Sequence, residues 1–108
     1  LQTIYTSVLA RRVHINNSFR TLPYEAGWAS EALVFVQAEG SHPDLTLGID
    51  VSPDGITWLP RVGNITLSKG STIAEIPITH FGNWLRVSVD GASDHDPARV
   101  LIHAALKG

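Results

Sequence analysis

Apolar and polar residues alternate most regularly from Leu45 to Ser52. Leu45, Leu47, Ile49 and Val51 fall on one side of a period-2 pattern, and Thr46, Gly48, Asp50 and Ser52 on the other. That is the signature of an antiparallel strand with one face in a core and the other in water. Ser52-Pro53-Asp54-Gly55 follows, with proline where φ is needed near −65°, aspartate where a side chain can bond the backbone, and glycine where φ must turn positive. The chain is expected to reverse here in a tight turn with a bulge at Gly55. The return strand then carries Ile56 and Trp58, and the tryptophan, opposite an aliphatic strand, is expected to anchor the core.

The same pattern predicts strands on either side. Glu31 to Glu39 is apolar on both sides, Leu33 and Phe35 against Val34 and Val36, so this strand is expected to be covered on both faces. Its Val-Phe-Val run and the Gly-Ser-His-Pro stop after it argue against a helix. Asn64–Ser68 and Thr72–Ile78 are short strands with Ile65, Leu67, Ile73, Ile76 and Ile78 as buried positions, and the alternation slips near Glu75. Pro77 cannot donate a ladder hydrogen bond, which places its strand at an edge or a bulge. Trp84–Asp90 and Arg99–Leu106 alternate cleanly. Seven or eight short strands with turn chemistry between them predict an all-β antiparallel β-sandwich. Residues 1–22 are β-forming but interrupted, and the Pro23–Ser30 loop separates them from the body at 23–108. They read either as an extended N-terminal arm or as the first strands of the sandwich.

Composition narrows the function classes. A chain of 108 residues can bury a core without metal or disulfide, and with no cysteine it has no disulfide, zinc–thiolate site or cysteine nucleophile. A net charge of −2 with no basic cluster gives no electrostatic footprint for nucleic acid. Charged residues make up only 17%, which suits a subunit that covers much of its surface with neighbours. No apolar run approaches the length of a membrane span. The chain lacks methionine and starts at Leu1, as expected of a chain processed from a longer precursor or of a fragment boundary.

Three motifs carry a resemblance. Glu39-Gly40-Ser41-His42-Pro43-Asp44-Leu45, Ser52-Pro53-Asp54-Gly55-Ile56-Thr57-Trp58 and Asn83-Trp84-Leu85-Arg86-Val87, in that order, resemble short jelly-roll-like β-sandwich proteins of tailed-phage virions. The Ser-x-Asp-Gly-x-x-Trp hairpin is also similar to that of discoidin-type carbohydrate-binding modules, although this chain is shorter than those modules and lacks their terminal cysteines. Both resemblances imply a jelly-roll-like sandwich. The first implies a structural subunit of a virion or extracellular assembly, and the second a glycan-binding adhesion module.

Candidate chemistry is sparse. Asp90, Asp94, His95 and Asp96 crowd one Gly-containing loop of the kind Ca²⁺ uses, but the spacing is not that of an EF-hand and a solvated acidic turn is the simpler reading. The five histidines lack the spacing of a zinc site, and no Gly-x-Ser-x-Gly elbow supports a serine nucleophile. No catalytic residue, cofactor or required metal is therefore expected. Partner contacts are expected from Ile4, Val8, Leu9, Val13 and Ile15, which could fill pockets of a neighbouring copy if the arm adds a strand to its sheet. Trp28, with Tyr24 on the Pro23–Ser30 loop, is the expected exposed aromatic contact, while Trp58 and Trp84 are expected to fill or flank the core.

Overall fold

A computed structural model describes residues 2–108; Leu1, on which the expectation of a processed start rests, lies outside them. The described residues form nine strands and no helix: β1 (Ile4–Ile15), β2 (Phe19–Arg20), β3 (Tyr24–Glu25), β4 (Glu31–Glu39), β5 (Leu45–Ser52), β6 (Leu59–Leu67), β7 (Ile73–Thr79), β8 (Trp84–Asp90) and β9 (Ala98–Lys107). One sheet has the order β1-β9-β4-β7 and the other β2-β8-β5-β6, with β3 also paired to β8. Every pairing is antiparallel. With the two-residue β3 set aside, the remaining eight strands in chain order lie 1-8-3-6 and 2-7-4-5, the double Greek key of a jelly roll.

The core lies between the sheets. Val34 and Val36 of β4, Ile76 and Ile78 of β7, and Ile102, Ala104 and Leu106 of β9 are buried on one side; Leu45, Leu47, Ile49, Leu85, Val87 and Val89 are buried on the other. Each aliphatic side chain larger than alanine contributes roughly 1.5–3 kcal/mol by leaving water. His42 is the polar exception. Its Nδ1 lies 2.7 Å from the carbonyl of Pro43 and its Nε2 2.6 Å from that of Ser71, so a buried ring staples the loop before β5 to the loop before β7.

The turn after β5 forms as its residues dictate, with one consequence that alternation does not reveal. The Ser52 hydroxyl accepts from the N–H groups of Asp54 and Gly55, and Gly55 has φ +79°. Asp54 Oδ1 accepts from the N–H groups of Ile56 and Thr57. Those two donors are thereby withdrawn from the β5 ladder, and β6 begins only at Leu59. Ile56 is consequently 82% exposed rather than part of a return strand. Trp58 does not anchor the inter-sheet core either: it is half-buried under the Arg86 guanidinium, 4.4 Å from the ring centroid.

Two further expectations change. The interruption in residues 4–15 is a pair of register shifts, between Val8 and Ala10 and between Ala10 and Val13, with Arg12 at φ +48° inside the second. Across these shifts β1 stays paired with β9 of its own chain, and Ala10 and Ile15 enter the core. In β7 the alternation does not slip: Ala74, Ile76 and Ile78 turn inward while Ile73, Glu75 and Pro77 turn outward, so Ile73 is 51% exposed instead of buried. Pro77 does sit on an edge strand, where its missing donor costs no ladder bond.

Candidate functional site

The least ordinary surface of the molecule is the outer face of the β1-β9-β4-β7 sheet. In β4 the residues that do not face the core are Glu31, Leu33, Phe35, Gln37 and Glu39; in β9 they are Arg99, Leu101, His103, Ala105 and Lys107. Register sets them side by side, Leu33 with Ala105 and Pro77, Phe35 with His103 and Glu75, Gln37 with Leu101 and Ile73. Val8 joins the row of His103 from β1. The centre of the face is thus mainly apolar. Two shallow grooves share Phe35 as a ridge: one of about 350 Å³ lies over Leu33, Pro77 and Ala105, and one of about 310 Å³ beside Ile73 and Glu75.

Charged rows close both ends of this face. Glu31 pairs in register with Lys107 at one end and Glu39 with Arg99 at the other. Glu39 also accepts from Arg12 Nε at 3.0 Å. An apolar centre with a charged rim is the anatomy of a protein interface. The apolar run of β4 has the expected cover on its inner face from the opposite sheet, while on its outer face Leu33 and Phe35 are half-buried, with no second layer over them among the described residues.

The residues expected to meet partners fall in different places. Ile4 is 63% exposed, and Val8 is exposed, on the outer side of β1. Leu9 and Val13 are half-buried against the core, and Ile15 is within it. Tyr24, half-buried, pairs with Leu85 in the other sheet. Trp28 is 47% exposed beside the C-terminal Gly108. The structure does not bring the seven together as one surface. Leu101, His103, Ala105 and Lys107 are instead the residues that a single sequence hides, because only strand register shows that they stand beside Leu33 and Phe35.

The outer face of the other sheet is polar. Arg86 stacks on Trp58 and donates through Nε to Asp50 Oδ2 at 2.9 Å, and Trp84 lies under the Gly55 turn. Asp54 in that turn is held at about 2, below the usual 3.8, by the N–H groups of Thr57 and Ile56 and by the Ser52 hydroxyl, all of which favour the carboxylate. The acidic loop does not converge on a point. Asp90 accepts from Arg20 at 3.2 Å, Asp94 from Asn16 at 2.8 Å, and Asp96 closes a backbone turn with Ser93. Among the described residues no three His, Cys, Asp or Glu side chains are placed to hold a metal ion.

These features define a jelly-roll β-sandwich whose most distinctive surface is the outer face of one sheet. Residues 29–106 match the family described as a domain of unknown function, DUF6385, and the chain belongs to that family. No curated protein matches it. Among solved structures, the fold is similar to that of the PBSX exported protein XepA, with a TM-score of 0.71 at 11% identity, covering 94% of this chain and 36% of that one. The chain therefore spans about a third of that relative's length. It is similar also to dimeric latent PorU from Porphyromonas gingivalis, with a TM-score of 0.51 at 11% identity over 99% of this chain and 13% of that one. Likeness at such identity establishes the fold alone.

Proposed function

We propose that the chain is a non-enzymatic structural subunit that builds or decorates a repeating virion or extracellular assembly. The observation that carries this reading is the uncovered outer face of the β1-β9-β4-β7 sheet, apolar around Leu33 and Phe35 and closed at both ends by charged rows. Monomeric proteins seldom leave a large contiguous apolar face in water. Copies meet first through the face of this sheet, and only then does exchange of residues 4–15 along the β1 edge, which would keep the same β9 register, extend the assembly. The fold of a protein described as exported supports the setting outside the cell or in a virion. The chemistry calls on no nucleic acid, cofactor or metal.

Negative-stain microscopy and light scattering of the purified chain test the reading. Rings, filaments, shells or defined oligomers are expected, and a chain that stays monomeric at high concentration would refute it. Trp58 and Trp84 on the outer side of the second sheet, beside Asp50 and Arg86, favour a second reading as a glycan-binding adhesion module. That reading expects a small particle and retention on immobilised glycans, lost on Trp58→Ala.

A further inference from the structure

Resting on the subunit reading, we infer that the occupant of the apolar sheet face is the same face of a second copy, related by a two-fold axis that runs along the seam between β4 and β9. Such an axis exchanges the two strands, so β9 of one copy lies over β4 of its partner at the same level. The charged positions at both ends of β9 then meet their opposites. Lys107 comes against Glu31 of the second copy, and Arg99 against Glu39, because the charged rows are basic on β9 and acidic on β4 at both ends. The small Ala105, which floors the groove of about 350 Å³, receives Leu33 from the facing strand. His103 receives Phe35. Charge and volume therefore alternate in register on a self-complementary surface, as an isologous contact requires.

A slide by one row or a head-to-tail stacking loses this match, for it sets Leu33 over His103 or brings like charges together. Aligned sheets cross at about 30°, which displaces the end rows sideways, a gap that the long Lys107 and Arg99 side chains span. Neither Glu31 nor Lys107 is in an ion pair of its own chain among the described residues. Both are free to make one with a partner.

The test is an exchange of charge between copies. Glu31→Lys and Lys107→Glu each set like charges against each other twice in a dimer, and each variant alone is expected to dissociate about tenfold more readily than the wild type. Mixed together, the two variants restore both opposite-charge contacts in a heterodimer, although each chain still carries its own like-charged neighbours across β4 and β9. Sedimentation equilibrium of the separate and mixed variants, with thermal melts to confirm folding, is expected to show association recovered only in the mixture. A wild-type chain that associates while the mixture remains apart would overturn the two-fold and leave the subunit reading standing. A monomeric wild type would overturn both. If either reversal prevents folding, Ala105→Trp fills the seat of the facing Leu33 from the solvent side; it is expected to abolish association, and persistence of the dimer would refute the proposed register.

Discussion

Substitution of Gly55 separates the two constraints on the turn that joins β5 to β6. Its φ of +79° lies in the left-handed region, where a Cβ costs roughly 1–2 kcal/mol, and less for asparagine, which visits that region routinely. A Cβ there would sit 3.4 Å from the Trp84 ring, an ordinary contact, so alanine bears the conformational cost with little steric cost. Valine adds two methyl groups next to the indole and a stiff β-branch in a region such residues avoid. The expected order of destabilisation is therefore Asn below Ala below Val, spanning from a few tenths to about 3 kcal/mol. For a domain of this size each kcal/mol lowers Tm by roughly 4–8 °C. Urea denaturation at constant m-value measures the series. Equal midpoints for the three variants, or valine no worse than asparagine, would show that positive φ at Gly55 does not hold the turn.

Other expectations follow from single contacts. Gly48→Ala places a Cβ 2.8 Å from the Val62 carbonyl and 2.9 Å from Ser88 Oγ, inside the sheet, and should cost about 1–3 kcal/mol in chemical denaturation. Because Asp54 is depressed from 3.8 to about 2 in the folded chain, the unfolded chain binds more protons between those values. Its contribution is complete above about pH 4 and is lost as pH falls through that window, so the stability difference between wild type and Asp54→Asn should shrink from pH 4 towards pH 2, as followed by thermal melts. EDTA should leave Tm unchanged, since Asp90, Asp94 and Asp96 serve separate partners; a fall restored by Ca²⁺ would refute that assignment.

Alternation made β4, β5, β8 and β9 legible because each has one strictly buried face, and proline chemistry placed β7 on an edge. The pattern failed where side chains compete with the ladder. Asp54 takes the N–H groups of Ile56 and Thr57, and no hydropathy pattern reveals that the strand beyond begins at Leu59. Trp58 misled for a related reason: a large apolar ring need not enter a core when a guanidinium can stack on it. In β1, a bulge looks in sequence like a break between two pieces. The candidate surface was half legible. Leu33 and Phe35 on a strand apolar on both sides point to two covers, but the alignment of Ala105, His103 and Lys107 beside them depends on pairing between segments about seventy residues apart, which the register alone supplies.

Whether this sheet face joins copies of the chain is decided by the solution mass of the wild-type protein beside Phe35→Lys, measured by sedimentation equilibrium over a range of concentrations. Phe35 is the ridge between the two grooves and faces away from the core, so the variant should keep its fold. The wild type is expected to rise to multiples of 11.7 kDa and the folded variant to remain at 11.7 kDa. A wild type fixed at the monomer mass, or a Phe35→Lys variant that associates as readily as the wild type, would contradict this expectation.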